Sequence, residues 1–162
     1  NCVTNLIKRP SYYMGHAFWF IMALIYGSAI EWGIHKYLFH GWGKKKNSIF
    51  AFHLRDHHLT SLKNNFYDLK ISPIEWAACL VGILFHLPLL WISPAFFAGA
   101  SLYAVLFSVI HNYSHKNPEW TKRWIPWHYD HHMKYQNDNM NVVLPIFDYI
   151  MGTRKKFLDK SL

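Results

Sequence analysis

Long runs of apolar residues dominate the chain and set its expected architecture. They cover about residues 13–34, 74–92 and 95–110, and most charged positions lie between and after them. Each run is close to the roughly 20 residues that a helix needs to cross a bilayer. The pattern therefore predicts an all-α integral membrane bundle with about three transmembrane helices.

Serine and proline mark the expected ends of these helices. Ser93 and Pro94 divide the last two runs, because serine is a favoured N-cap and proline fits the first helical position. Ser72, Pro73 and Glu75 repeat this signal, with the glutamate placed for a capping box. Pro88 is expected to kink the second helix, since it lacks a backbone N–H.

Composition supports one membrane-embedded domain. The chain has 162 residues, of which 52% are hydrophobic and 16% are charged, whereas an ordinary soluble domain is roughly a quarter charged. The first residue is asparagine, so residues 1–162 are interpreted as a single domain in a fragment or a processed product. Cys2 and Cys79 form no C-x-x-C motif and predict no disulfide framework.

Basic residues are distributed unevenly, and this predicts the topology. The formal charge is +8, and residues 36–72 contain seven Lys and Arg while residues 113–162 contain eight. The positive-inside rule places both segments in the cytoplasm. Nucleic-acid binding is disfavoured because no recognition motif accompanies the charge, and contact with anionic lipid accounts for most of it.

Histidine gives the chain its chemistry. Ten of the twelve histidines fall into four clusters that read HKYLFH, HLRDHH, HNYSH and HYDHH. Imidazole is the commonest side-chain metal ligand, and ten imidazoles exceed the needs of one tetrahedral zinc ion. We therefore predict two metal ions. The predicted ligands are His35, His40, His53, His57, His58, His111, His115, His128, His131 and His132.

The clusters lie where they can meet below the membrane surface. HKYLFH follows the first apolar run, HNYSH follows the third, and the other two lie in the cytoplasmic segments. His53 and His57 are four apart, as are the two histidines of HNYSH, which places each pair on one helical face. The three histidines of HYDHH are expected to share a face in the same way. His35 and His40 are five apart, which predicts a helix end or a distortion.

Prolines in the second cytoplasmic segment predict short helices. Asn117 and Pro118 mark the first start, Pro126 starts a piece that carries HYDHH, and Pro145 begins a last helix that ends at Gly152. The cytoplasmic part is therefore expected to be a histidine-rich helical cap.

Five polar residues are candidates for hydrogen bonds to the ligand rings, and each has an alternative role. Glu31 either accepts a ring N–H or pairs with another polar group on a helix. Asp56 and Asp130 either orient neighbouring imidazoles or are solvated. Asn139 and Asn141 either support the ligands or form a turn.

The four clusters resemble those of the fatty acid hydroxylase/sterol desaturase superfamily of membrane di-iron enzymes. The resemblance covers about residues 31–153 and includes the order of the clusters, the membrane hairpin between the second and third, and the ending FDYIMGT. HKYLFHGWG is also similar to the start of the bacterial β-carotene hydroxylases, which share the superfamily.

The resemblance implies an oxidoreductase in which histidines bind two iron ions that activate O₂, with zinc as a substitute in purified protein. It implies a lipid hydroxylase or desaturase, with hydroxylation of a fatty acyl chain as the leading reaction and hydroxylation or desaturation of a sterol or carotenoid as the alternative. Electrons are expected from cytochrome b5 or a ferredoxin with its reductase. The expected location is the endoplasmic reticulum in a eukaryote or the inner membrane in a bacterium.

Two other classes of protein use histidine clusters. A membrane metal transporter binds its ion near the bilayer midplane, whereas these clusters are expected at the cytoplasmic helix ends. A structural zinc site needs only four ligands. His86 lies within the second apolar run and is expected to hydrogen-bond between helices and not to bind metal.

Overall fold

The computed structural model describes residues 9–70 and 73–156, with side chains from residue 15 onward. All regular secondary structure in these ranges is helical, which confirms the all-α part of the predicted fold. Two π-helical segments, Ile34–Phe39 and His53–His58, and one 3₁₀ turn, Trp42–Lys44, accompany the α-helices. Helices α1 to α8 are Arg9–Gly33, Leu59–Lys63, Pro73–Phe85, Leu89–Ile92, Pro94–Lys116, Pro118–Trp124, Pro126–Met133 and Ile146–Ile150.

Two of the three predicted spans form helices that are long and apolar enough to cross a membrane. The first is the continuous helical stretch Gly15–Lys44, which includes most of α1, and the second is α5, Pro94–Lys116. Ser93 caps α5 as predicted, because its Oγ accepts a hydrogen bond from the Phe96 N–H at 3.4 Å. Helix α5 continues beyond the predicted end of the apolar run, so the HNYSH cluster lies on the same rigid helix.

The second predicted span is broken. Helix α3 has 13 residues, and α4 has four residues after an interruption at residues 86–88. Pro88 explains the break, since proline has no N–H to donate and its ring clashes with the carbonyl four residues earlier. The sequence predicted a kink at Pro88, whereas the structure has a break between two separate helices. Helix α3 begins at Pro73, as the proline in the start signal predicted. Ser72, the predicted N-cap, lies outside the described residues.

Small residues allow α1 and α5 to pack closely. A Cβ atom on Gly27 would lie 2.4 Å from Cγ of Tyr103, and one on Gly99 would lie 2.8 Å from both Cβ of Ala23 and the carbonyl oxygen of Phe20. Membrane helices commonly use such small residues where their backbones approach. This close packing holds the HKYLFH and HNYSH clusters at the adjoining ends of two helices.

The three short helices predicted after residue 116 are all present as α6, α7 and α8. The last ends at Ile150, two residues before the predicted position. Gly152 has a left-handed φ of 67°, and Thr153 N donates to Asp148 O at 2.9 Å while Gly152 N donates to Tyr149 O at 3.3 Å. This is a Schellman arrangement, which requires a residue that tolerates positive φ after the helix.

Candidate metal centre

A π-helix positions the first pair of clustered histidines. In Ile34–Phe39 the backbone N–H of His40 donates to the carbonyl of His35 at 2.9 Å, a bond that spans five residues. The five-residue spacing therefore directs both rings to the same side. This confirms the prediction that HKYLFH needs a distorted helix.

The same geometry corrects the prediction for HLRDHH. Residues 53–58 also form a π-helix, so His53 shares its side with His58, five residues later. His57 points to a different set of histidines. The expectation that His53 and His57 share one face assumed α-helical periodicity, and the local periodicity is wider.

Five buried histidines form what we call the first group. Their candidate ligand nitrogens all lie within 4.8 Å of one another. The Nε2 atoms of His35 and His53 are 2.9 Å apart, those of His53 and His58 are 3.1 Å apart, and those of His131 and His40 are 3.1 Å apart. The members of the first group are His35, His40, His53, His58 and His131.

Four more histidines form the second group, again with candidate ligand nitrogens within 4.8 Å of one another. The Nε2 atoms of His57 and His111 are 3.1 Å apart. His128 is outside both groups, but it is fully buried and its Nε2 lies 3.1 Å from Nε2 of His115. The members of the second group are His57, His111, His115 and His132.

The two groups are neighbours that share parts of the chain. His57 and His58 are consecutive but belong to different groups, and so are His131 and His132. The rings of His58 and His132 stack across the boundary, with centroids 4.1 Å apart. The three HYDHH histidines, which were expected to share one helical face, are divided: His131 belongs to the first group, His132 to the second, and His128 to neither.

Hydrogen bonds at Nδ1 determine which ring nitrogen can bind a metal. His35 donates to the carbonyl of Met140 at 2.5 Å, and His131 donates to that of Asp138 at 2.7 Å. Because a carbonyl can only accept, Nδ1 must carry the proton in each neutral ring and Nε2 must carry a lone pair. His115 is fixed in the same way by the carbonyl of Phe66 at 2.9 Å.

Several lone pairs that point at one another, with no proton between them, repel unless a cation binds them. His132 supports this interpretation because both of its ring nitrogens are buried and have no hydrogen-bond partner. Buried polar atoms are almost always satisfied, so such an exception indicates a missing partner. The donor set of both groups therefore fits a metal ion that prefers nitrogen ligands.

Two carboxylates that the sequence analysis did not select bind rings of the second group. Asp68 accepts from Nδ1 of His57 at 3.0 Å, and both oxygens of Glu75 lie 3.0 Å from Nδ1 of His111. Burial alone would raise the pKa of Asp68, but hydrogen bonds from His57 and from the Lys70 amide outweigh it and lower that pKa. Glu75 had a sequence signal, although we interpreted it as a helix cap. Asp68 had none.

The backbone before Asp68 is also specialised. Asn65 and Phe66 have φ values of 53° and 79°, which is uncommon for residues with a side chain. The Phe66 ring is fully buried and stacks on His115 with centroids 4.4 Å apart. This unusual turn is what directs the Phe66 carbonyl toward the same histidine.

Glu31 pairs with polar groups, which was the alternative to a ring contact. It accepts from the Tyr103 hydroxyl at 2.6 Å, the Val142 amide at 2.6 Å and the Asn141 side chain at 3.1 Å. Asn141 also donates to the Ser28 carbonyl at 2.8 Å. Both residues therefore connect α1 to the polar segment after α7, and the described contacts include none from Glu31 to a clustered histidine.

The other three candidates also have structural contacts. Asp56 is solvated and forms an ion pair with Arg55 at 2.6 Å, its side chain being 58% exposed. Asn139 has a left-handed φ of 57° and accepts from the Lys155 amide at 2.8 Å, so its turn role is confirmed. Asp130 is buried and lies 3.8 Å from the guanidinium of Arg154, so the solvated alternative is wrong for this residue.

A largely apolar cavity of about 690 Å³ lies beside both groups and extends between α1, α3 and α5. His86 is near its far end, where Nε2 lies 2.9 Å from the Tyr26 hydroxyl and Nδ1 donates to the Gly82 carbonyl at 2.7 Å. His86 thus joins two helices as predicted and belongs to neither histidine group. Five clustered histidines line the cavity, namely His35, His53, His57, His111 and His115.

These features define a helical membrane protein with two histidine groups that can hold metal beside an apolar cavity. The family model described as fatty acid hydroxylase matches residues 20–153. The chain therefore belongs to the fatty acid hydroxylase family, which confirms the resemblance noted from its clusters. Searches of curated proteins and of solved structures gave no match.

Burial keeps at least four of the grouped histidines neutral. It lowers the pKa of His131 to about 4, and it lowers the pKa of His53, His58 and His132 well below the ordinary value. Repulsion between neighbouring imidazolium charges acts in the same direction. At neutral pH these four rings are therefore uncharged, and the carbonyl bond at Nδ1 of His131 leaves its Nε2 with a lone pair.

This shift predicts a pH-dependent stability in metal-free protein. Unfolded histidine titrates near pH 6.5, whereas folded His131 stays neutral down to about pH 4. Between these values the unfolded chain binds more protons, so stability is lost as the pH falls. We expect the thermal unfolding midpoint in detergent to decrease below about pH 6.5, and less steeply in His131→Asn. A midpoint that is constant or rises on acidification would contradict the burial of neutral rings.

Proposed function

We propose that this protein uses two iron ions, one in each histidine group, to hydroxylate a membrane lipid with O₂. The observation that carries this proposal is the position of both groups on the wall of one apolar cavity between membrane helices. Bound iron would supply the activation of O₂ and the oxidation of a C–H bond. The balanced reaction converts R–H, O₂, two electrons and two protons into R–OH and water.

The chemistry of the ligands favours this assignment over a structural zinc site. The first group has five imidazoles, one more than the closed four-ligand site that structural zinc prefers, and the second group of four lies beside it. Iron can change oxidation state and accepts imidazole ligands, while zinc cannot change oxidation state. Zinc can still occupy the sites in purified protein, because its affinity for such ligands exceeds that of Fe(II).

The cavity supports a long apolar substrate. Ile30, Ile83 and Phe107 line it from three different helices, and such contacts suit a hydrocarbon chain that enters from the bilayer. Apolar walls with a few polar groups are typical of small-molecule sites. The clustered histidines on the wall would face one part of that chain. We propose a fatty acyl chain as the substrate, with a sterol or carotenoid as the alternative.

We further propose that the histidine groups lie on the cytoplasmic side, under three membrane crossings. The C-terminal ends of α1 and α5 both approach the histidine groups, so both helices run in the same direction across the membrane. Residues 73–92 must then return the chain to the opposite face, and the 13 residues of α3 and four residues of α4 would together rise about 26 Å. The membrane would be the endoplasmic reticulum in a eukaryote or the inner membrane in a bacterium.

Electrons would come from a separate carrier, such as cytochrome b5 or a ferredoxin with its reductase. The chain itself carries no haem, flavin or nicotinamide fingerprint. Lys44, Lys45, Lys46 and Arg55 are exposed close to the first group. A basic surface of this kind favours encounter with an acidic protein.

Removal of a ligand should abolish lipid oxidation without preventing membrane insertion. We expect His57→Ala, His115→Ala and His131→Ala each to lose the oxidised lipid, measured by mass spectrometry of cells supplied with ¹⁸O₂. Metal analysis should give about two ions per chain in the parent protein and fewer in each variant. His86→Ala is the matched control and should retain both ions, because His86 belongs to neither group.

The opposite pattern would reject the assignment. If His86→Ala removed activity while His115→Ala left it intact, the functional site would lie deeper in the membrane, as in a transporter. The same lipid analysis identifies the substrate class, since label would be found in acyl chains or in a sterol or carotenoid.

The topology predicts where single cysteines can be labelled. In a background without Cys2 and Cys79, Asn47→Cys and Glu119→Cys should react only after the cytoplasmic face is exposed, because both positions lie on the side of the histidine groups. Ile92→Cys, at the turn before α5, should react from the opposite face. Labelling of Asn47→Cys from outside intact cells would contradict the proposed orientation.

A further inference from the structure

The two histidine groups differ in the groups that accept hydrogen bonds from their Nδ1 atoms. In the second group, His57 and His111 donate their Nδ1 protons to the carboxylates of Asp68 and Glu75. In the first group, His35 and His131 donate to backbone carbonyls. The carboxylate–ring hydrogen bonds described within residues 9–70 and 73–156, from His57 to Asp68 and from His111 to Glu75, both belong to the second group.

A carboxylate affects a metal-binding ring more strongly than a carbonyl does. It attracts the Nδ1 proton, and this increases the basicity of the Nε2 atom that faces the metal. It also places a full negative charge one ring away from the ion. Asp68 and Glu75 are 9% and 11% exposed, so solvent screens that charge less than at an open surface.

The carboxylate charges also affect how strongly each group stabilises a bound cation. Two carboxylates beside the second group offset the charge of a divalent ion there. They offset only part of the charge of a trivalent ion, but they stabilise it more strongly because the attraction is proportional to its charge. In the first group, Met140 connects His35 to a carboxylate only indirectly, because the Met140 amide donates to Asp148 at 2.8 Å.

The second group also faces the apolar cavity. His57, His111 and His115 line that cavity, and so do Asp68 and Glu75. Three of the four second-group rings therefore lie on the cavity wall, compared with two of the five first-group rings. The carboxylate partners therefore belong to the group that has more of its rings on the wall of the proposed lipid cavity.

We infer that the two metal sites are electronically inequivalent, and that Asp68 and Glu75 are positioning residues that tune the second group alone. This inference rests on the proposed function only in requiring that both groups bind metal. The carboxylates strengthen binding of the second ion and favour its ferric form. With a one-electron oxidant such as ferricyanide, the second-group iron loses its electron to the oxidant at a lower potential than the first-group iron.

The test uses Asp68→Asn and Glu75→Gln, which remove one charge each and nearly preserve side-chain shape. Asp56→Asn is the matched control, because Asp56 neighbours His57 in sequence and lines the same cavity but pairs with Arg55 at the surface. Chelator competition measures the affinity of each of the two ions in purified protein. Mössbauer spectra of ⁵⁷Fe-loaded protein distinguish the two iron environments during stepwise oxidation.

We expect each carboxylate variant to lower the affinity for one metal ion by about 10- to 100-fold, while the affinity for the other ion stays the same. One of two Mössbauer signals should change, and that iron should be oxidised at a higher potential than in the parent protein. Asp56→Asn should behave like the parent protein. The two variants are independent, so a folding failure in one leaves the other as a test.

The inference would be overturned if the affinities for both ions fell equally, or if affinities and spectra were unchanged in both carboxylate variants. Failure of the proposed function gives a different result. If the parent protein bound fewer than two metal ions, the proposed function would fail before any variant is compared. If it bound two ions but oxidised no lipid, the tuning by Asp68 and Glu75 would still be measurable.

Discussion

Five of the nine imidazoles in the two groups are oriented by acceptors elsewhere in the chain that hold their Nδ1 protons away from the centre. The Nδ1 atoms of His35, His115 and His131 each donate to a backbone carbonyl, so their Nε2 atoms present lone pairs inward. Such an arrangement is unfavourable without a cation and favourable with one. The fold around the groups is therefore organised by where backbone carbonyls and carboxylates must be placed to receive ring protons.

Much of the remaining structure serves that placement. Asp148 accepts from the amides of Met140 and Asn141, both at 2.8 Å, and so fixes the segment whose Met140 carbonyl receives the His35 proton. Glu31 secures the same segment to α1 through the Val142 amide. Buried polar contacts of this kind are costly unless they are fully satisfied. Their presence near a membrane helix is explained by the orientation that they give to the ligand rings.

The sequence predicted the helical class, most helix starts and the nine histidines that form the two groups, because these depend on local composition and on proline and serine signals; the tenth, His128, lies outside both groups. It did not predict how the histidines divide into groups. That division depends on π-helical segments, which place residues five apart on one side, and on neighbours such as His57 and His58 that face different ways. Asp68 and Glu75 were missed as ring partners because their contacts arise from tertiary packing and not from spacing.

Anomalous diffraction from iron-loaded crystals would show directly whether the two groups of imidazoles each hold a metal ion, as we propose. We expect two iron peaks per chain. One peak should lie among His35, His40, His53, His58 and His131, and the other among His57, His111, His115 and His132. A single peak, or a peak beside His86, would show that the two groups do not each bind iron.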